Sequence, residues 1–436
     1  MDYKESLSYL ESLNVFGSKL GLSRIERLTE LLGHPERRYR TVHVTGTNGK
    51  GSVSAMTAAI LTESGFRTGL YTSPHLTSYT ERFVIDGEQA SEADFAAAIS
   101  AAKEAAETML AEGLEQPTEF EVLTAAAFYY FAEKHVDYAV IEVGLGGLLD
   151  STNVITPEVA VVTNVAMEHA DRCGGTLEGV AHHKAGIIKA GVPVVTAAEG
   201  MTLDVVRRKA EEEGADIFVL GEDFAVLPMK QAAGMIEFSS ELLGIRAAHY
   251  ALALGGAYQR RNAALAVMAA ELLAGTHPSI THENIAAALR SAAWPGRFER
   301  FTLDGKRIIL DGAHNPAGAA ALRESLDAAF ADEARVLLIG ILEDKDYRSM
   351  LKTLLRAGDR VVVTPPMSFR AGDPENLARA AREITADVEV VENAQAALER
   401  ALSLTDERHI LCAAGSLYLI GNLRCLLLER GSRHDG

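Results

Sequence analysis

Short runs of apolar, β-branched residues alternate with longer stretches of helical character along most of this chain. Residues 41–44 (TVHV) read as a buried strand, followed by a glycine-rich turn and a helix over about 52–63. Further strands are expected at 68–71, 138–143, 159–163, 192–196 and 216–220. The alanine-rich stretches 91–112 and 118–135 between them have the propensity and length of helices. Strands alternating with helices predict an α/β fold whose mostly parallel sheet is covered on both faces. Residues 224–252 break the rhythm and predict several short strands in a small antiparallel region. A second series begins after Trp294-Pro295-Gly296, with strands at 308–310, 336–339, 360–364, 388–391 and 409–413, most followed by a helical stretch. Pro295 and Gly296 interrupt the helix that ends around Arg290, which sets a domain boundary between 1–295 and 296–436. Two α/β domains with a cleft between them are therefore expected.

Composition narrows the function. The length of 436 residues exceeds one ordinary core, in keeping with two domains. Sixty acidic against 42 basic residues give a net charge of −18, which argues against a broad nucleic-acid footprint. An anionic ligand must then be held by local devices such as backbone N–H groups, a few cations or a metal. The three cysteines, Cys173, Cys412 and Cys425, have neither CxxC spacing nor a disulfide framework, which points to the cytoplasm. The N-terminal stretch lacks a signal-peptide core, and no apolar run reaches the roughly 18 residues that span a bilayer. No membrane partner is expected.

The sharpest chemical signal is Thr45-Gly46-Thr47-Asn48-Gly49-Lys50-Gly51-Ser52, set between the first strand and the helix after it. Glycines there let backbone N–H groups turn inward toward an anion, and the helix N-terminus adds its dipole. Lys50 can reach the outer phosphates, and the Ser52 hydroxyl can sit on Mg²⁺. The string departs from the common GxxxxGK[ST] pattern: Val44 replaces the first Gly, and Gly51 separates Lys50 from Ser52. A second signal is the strand leading to Glu142 and the run Gly144-Leu145-Gly146-Gly147 after it. Ligands of open α/β sheets gather at the C-terminal edge, where such a carboxylate can hold Mg²⁺. The segment 163–171 carries polar groups to the same edge, and His169 within it is placed as a metal ligand. His182 and His183, on the next helix, read as ordinary surface or core histidines.

Several strings occur together in a recognisable order: TGTNGKGS at 45–52, SPHL at 73–76, ERF at 81–83 and EVGLGGLLDSTN at 142–153. KAGI at 184–187, LDGAHNP at 310–316, DKD at 344–346 and GSLY at 415–418 follow. Together they resemble folylpolyglutamate synthase and the bifunctional bacterial dihydrofolate synthase, relatives of the Mur peptide ligases. The resemblance implies an N-terminal P-loop ATPase domain, over 1–295, that also binds folate. A C-terminal Rossmann-like glutamate-ligase domain, over 296–436, completes it. It implies that Thr47, Asn48, Gly49, Lys50, Gly51 and Ser52 bind ATP, with Asn262 at adenine and with Arg297 and Asp311 reaching the nucleotide. Two Mg²⁺ ions are implied, one on Ser52 and Glu142 and one on Glu142, His169 and a carbamylated Lys184. A carbamate offers oxygen to a hard cation, which an ammonium cannot. His314 is implied at phosphate or glutamate, and Ser73, Pro74, His75, Leu76, Arg82 and Phe120 at the pterin substrate. Ser416 is implied on the glutamate side. A need for K⁺ is left open, and a monomer is implied.

Three positions depart from the family pattern. Leu148 stands where Arg is usual, Glu168 where Asp is usual, and His183 where Glu is usual. The expected reaction activates a carboxylate by γ-phosphoryl transfer and then lets the amine of L-glutamate displace phosphate. Folate, dihydropteroate or both are the expected carboxylates. A Mur-type ligase acting on a cell-wall nucleotide would need a further N-terminal domain, whereas about 40 residues precede the phosphate loop. A substrate-drifted ligase or a non-catalytic nucleotide-binding relative would have only Leu148 and His183 in its favour.

Overall fold

The computed structural model describes the chain except residues 14–19, 169, 230–233, 332, 369, 432, 435 and 436. It divides into two compact units, Met1–Ala251 with Arg261–Ala292, and Leu252–Arg260 with Ala293–Gly436. In the first unit, helices α1 (Tyr3–Leu13) and α2 (Ser23–Leu31) precede strand β1 (Arg40–Thr45) and helix α3 (Lys50–Glu63). Strand β2 (Thr68–Tyr71), the hairpin β3 (Phe83–Ile85) and β4 (Glu88–Gln89), and helices α4 (Glu92–Ala111) and α5 (Glu119–Glu133) follow. The sheet is completed by β5 (Tyr138–Glu142), β6 (Val159–Val162), β7 (Val194–Thr196) and β8 (Ile217–Val219), with α6 (Leu177–Ala185) and α7 (Gly200–Glu213) between them. Its order is β4-β3-β2-β5-β1-β6-β7-β8. All neighbours pair in parallel except β2–β3 and β3–β4.

The local physics explains these elements. β1 has five consecutive buried residues, as a strand covered on both faces must. Thr118 and Glu121 cap α5 reciprocally, fixing its start. The aromatic face of α5 then sinks into the core: Phe128 and Phe131 have no exposed surface, each worth roughly 1.5–3 kcal/mol of burial. Gly69 in β2 lets the Phe131 ring approach, since an added Cβ would lie 2.8 Å from it. α1, α2, α4 and α5 share one core with Tyr71, Phe83 and Ile141 of the sheet. The irregular stretch expected at 224–252 is a three-stranded antiparallel sheet of β9 (Ala225–Pro228), β10 (Met235–Ser240) and β11 (Ile245–Ala251). Helices α8 (Gln259–Ala274) and α9 (His282–Ser291) close the series.

The second unit is built around a seven-stranded sheet. Its strands are β12 (Glu299–Leu303), β13 (Lys306–Asp311), β14 (Ala334–Ile339), β15 (Arg360–Val363), β16 (Asp387–Val390), β17 (His409–Ala414) and β18 (Arg433–His434). They lie in the order β16-β15-β14-β17-β13-β12-β18, parallel from β16 to β13. Helices α10 (Pro316–Ala329), α11 (Tyr347–Leu354), α12 (Pro374–Arg382), α13 (Ala394–Leu404) and α14 (Leu417–Glu429) cross between strands. The expected strands are thus present, and the antiparallel edges β3–β4 and β12 are additions to them.

Candidate active site

β1 lies between β5 and β6, so the chain leaves β1 where strand order reverses, the usual ligand position of an open α/β sheet. The loop after β1 is braced by its neighbour. Thr47 Oγ1 accepts from Ala166 N at 2.9 Å, and Asn48 N donates to Asn164 Oδ1 at 3.0 Å. Thr163 Oγ1 and Asn164 Nδ2 both donate to the Asn48 carbonyl, at 2.6 and 2.9 Å. Gly46 permits this approach, because a Cβ there would fall 1.8 Å from Thr163 Oγ1. Gly49 caps α3 with φ +87°, and a Cβ on it would meet Asn262 Oδ1 at 2.4 Å. Asn262, expected at adenine, therefore abuts the phosphate loop. Lys50 Nζ folds back on the carbonyls of Gly46 and Thr47, at 3.1 and 3.2 Å. Ser52 is buried in the first turn of α3. Sequence reasoning placed polar groups at 163–171; the bracing by Thr163 and Asn164 becomes legible only once β6 is seen beside β1.

Glu142 ends β5 in register with Val44, and its carboxylate is nearly fully buried. Its Oε2 accepts from Ser73 N at 3.0 Å, which brings the 73–76 segment to the same edge. The run that follows is packed tightly. Gly144 admits the Phe120 ring, whose nearest atom would be 2.4 Å from an added Cβ. Thr45 Oγ1 donates to Gly146 O at 2.6 Å, and Leu148 N to His183 O at 2.7 Å. Leu148 itself rests on Gly186 of the segment after α6. Asp150, a position the sequence did not single out, is buried and accepts from Leu145 N at 2.8 Å. Burial raises its carboxyl above the usual range, opposed by the hydrogen bonds it receives.

Lys184 sits on α6 with only 6% of its surface exposed. Desolvation, aided by Lys50, lowers its ammonium to about 7, against smaller opposing effects of Cys173 and Glu168. Desolvation also lowers His183, with smaller contributions from His182 and Lys184. His169 lies outside the described residues, and among the described residues no group of three His, Cys, Asp or Glu converges as a metal site. In the 73–82 segment, Arg82 Nε donates to His75 Nδ1 at 3.0 Å, and the His75 ring lies 4.3 Å from that of Tyr79. Burial first, then Arg82, holds His75 down to about 4, so it is neutral. Glu81 gathers the backbone N–H groups of Leu76, Thr77 and Ser78, which fixes the loop's shape.

In the second unit, Asp311 ends β13 and is almost fully buried. Its Oδ2 accepts from Tyr258 OH at 2.6 Å and Phe298 N at 2.9 Å, and its Oδ1 from Ala313 N at 2.9 Å. Burial raises its carboxyl, while Arg297 opposes the rise. The Arg297 guanidinium lies over Gly312, 2.6 Å from where a Cβ would sit. His314 Nδ1 bonds the Gly312 carbonyl at 2.8 Å, which places its proton on Nδ1. Ser416 is buried and caps α14, its Oγ accepting from Tyr418 N at 3.2 Å. Asp311 and Ala414 are register partners, so His314 and Ser416 follow adjacent strand ends.

The first unit's sheet thus unites the phosphate loop, Glu142 and the 73–76 segment, while Arg297, Asp311, His314 and Ser416 share one edge of the second. Comparison with known proteins identifies the family. The Mur ligase middle domain matches residues 44–270, and the Mur ligase glutamate ligase domain matches 296–417. Folylpolyglutamate synthase of Lacticaseibacillus casei is 37% identical over 433 residues, covering 98% of this chain and 99% of that one. The dihydrofolate synthase/folylpolyglutamate synthase of Bacillus subtilis is 38% identical over 355 residues, covering 81% and 82%. The crystal structure of Mycobacterium tuberculosis folylpolyglutamate synthase, complexed with ADP and AMPPCP, superposes with a TM-score of 0.88. It is 34% identical and is covered over 99% of its chain and 98% of this one. The chain belongs to the folylpolyglutamate synthase/dihydrofolate synthase family of Mur ligases and is an ATP-dependent glutamate ligase.

Proposed function

We propose that this enzyme joins the amine of L-glutamate to the carboxylate of dihydropteroate, a reduced folate, or both, through an acyl phosphate. One observation carries the reading. Glu142 ends the strand beside the phosphate-loop strand and accepts the Ser73 N–H, so the expected nucleotide and pterin segments meet at one carboxylate. In the first step a substrate carboxylate oxygen forms a bond to the γ-phosphorus as the bond to the ADP oxygen breaks. In the second, the neutral glutamate amine bonds to the acyl carbon, phosphate leaves with the former carboxylate oxygen, and the nitrogen gives up one proton to become the amide. The backbone N–H groups of the loop and the Lys50 ammonium, once it swings from Gly46 and Thr47, neutralise the phosphates.

Ser52 and Glu142 are buried oxygen donors at this edge, the kind of set that Mg²⁺ takes with substrate phosphates and water. They would hold one ion, and a carbamylated Lys184 with Glu142 and His169 a second; bound, Mg²⁺ offsets charge as the phosphoryl group moves. Lys184 suits carbamylation, since its buried amine near 7 is largely neutral at pH 8. The neutral nitrogen would bond to the carbon of CO₂ and lose a proton, leaving a carbamate. Arg297, Asp311 and Asn262 are assigned to ATP, His314 and Ser416 to the phosphate and glutamate side, and the His75, Arg82 and Phe120 groups to the pterin. Asp311 acts mainly by holding its loop, because both of its oxygens already accept hydrogen bonds. We place residues 1–295 and 296–436 as the two functional domains, and the enzyme as a cytoplasmic monomer; no described helix is long and apolar enough to cross a membrane. Lys50→Ala should abolish glutamylated product in the presence of ATP, and undiminished turnover would overturn the assignment.

A further inference from the structure

Residues two apart on a strand share a face, and β1 presents His43 and Thr45 in this way just before the phosphate loop. Both reach toward the run 144–152. Thr45 does so directly, through Gly146 O. His43 does so through a chain: its Nε2 meets Thr152 Oγ1 at 2.9 Å, Thr152 Oγ1 meets Asp150 Oδ1 at 2.5 Å, and Asp150 Oδ2 takes Leu145 N–H at 2.8 Å. The direction of the chain is set by its end. A carboxylate only accepts, so the Thr152 hydroxyl donates to Asp150 and must accept from His43 Nε2–H. His43 Nδ1 is then an acceptor, and it has no partner among the described residues.

The imidazole has no exposed surface, and burial with Lys189 nearby lowers it to about 3, so it stays neutral. For stability alone this is a poor residue. A buried imidazole with an orphan nitrogen is costlier than leucine or valine in a strand whose other buried residues are Val or Thr. What the histidine adds is the tie to Asp150. We infer that His43 is a positioning residue for the ligase reaction, holding Leu145 against β1 through Thr152 and Asp150, beside the direct bond from Thr45 to Gly146. This run directly follows Glu142, so the tie sets where Glu142 and the phosphate loop stand relative to each other. The inference rests on the proposed function of that edge.

The test compares His43→Leu, His43→Gln and Thr152→Val in the full-length protein, reading melting temperature, steady-state kinetics and amide exchange at Leu145. His43→Leu should melt at or above the parent temperature, yet lose about tenfold or more in kcat while KM for ATP moves less than about threefold. Gln, whose Nε2 can occupy the imidazole Nε2 position, should restore most of the rate. Thr152→Val should lose rate similarly, and the double variant with His43→Leu should be no slower than the slower single. The Leu145 amide should exchange faster in both single variants. Parent kcat in His43→Leu, or a lower melting temperature with kcat per folded molecule unchanged, would overturn the inference, as would failure of all three variants to fold. Should the parent enzyme make no glutamylated product, the proposed function fails, and Leu145 exchange alone decides whether the tie exists.

Discussion

Lys184→Met separates what the protein spends on this residue from what it gains. Folding strips water from the Lys184 amine and sets it near Lys50, and the smaller opposing effects of Cys173 and Glu168 do not compensate, so its pKa falls from 10.5 to about 7. At 1.36 kcal/mol per pH unit, that difference sets a ceiling of roughly 5 kcal/mol on the destabilisation it causes below pH 7. Local relaxation and stray water reduce this, so about 2 kcal/mol is the working figure. The sign is fixed by linkage: the unfolded chain binds the proton more tightly, so the cost is full below pH 7 and fades as pH rises toward 10.5. At pH 9 the ceiling has fallen to about 2 kcal/mol. Methionine keeps most of the volume without the charge, so the variant should be more stable than the parent, by more at pH 6 than at pH 9. Urea unfolding in CO₂-free buffer with a metal chelator would measure both gains. The same variant should lose ligase activity by about 100-fold or more, having no amine to carbamylate. A gain equal at the two pH values, or a loss of stability at pH 6, would refute the electrostatic reasoning; full activity would refute the assigned role.

Gly49→Ala puts a Cβ at φ +87° and 2.4 Å from Asn262 Oδ1, so KM for ATP should rise by about tenfold or more; an unchanged KM would mean the loop tolerates the shift. Tyr258→Phe removes one of three donors to the buried Asp311 carboxylate and should cost about 1–3 kcal/mol in urea unfolding. An unaltered midpoint would count against a structural role for the pair. Arg335 is buried with Nε and Nη1 unpartnered among the described residues, while Asp327 also pairs with Arg323 and Arg356. Arg335→Met should therefore be neutral or stabilising by about 1 kcal/mol, and a loss above about 2 kcal/mol would show that its contacts matter more than its burial costs.

Much of the fold was legible because buried parallel strands are short continuous apolar runs. The expected 68–71 is β2 itself, and 41–44 and 159–163 differ from β1 and β6 by one or two terminal residues. The antiparallel edges were not legible. Phe83–Ile85 is three residues long, and Glu88–Gln89 is exposed and polar, so neither has a periodic signature. At the site, the glycine-rich loop with Lys50 and Ser52 announced itself by local chemistry. What stayed hidden was long-range: Asn164 lies 116 positions from Asn48, and Thr152 109 from His43, so only strand order brings them together. Asp150 was invisible for a related reason, since an aspartate in a turn usually caps its own neighbours. This one does cap Thr152, but it also reaches back to Leu145.

The most direct test of the account is product formation by the purified chain with Mg²⁺, ATP and L-glutamate, offering dihydropteroate and tetrahydrofolate in parallel. ADP release and product mass would be followed together. The account predicts ADP released one-for-one with a product heavier by one glutamyl residue from at least one substrate, and none without glutamate. Bound ATP with no glutamylated product from either substrate would contradict it.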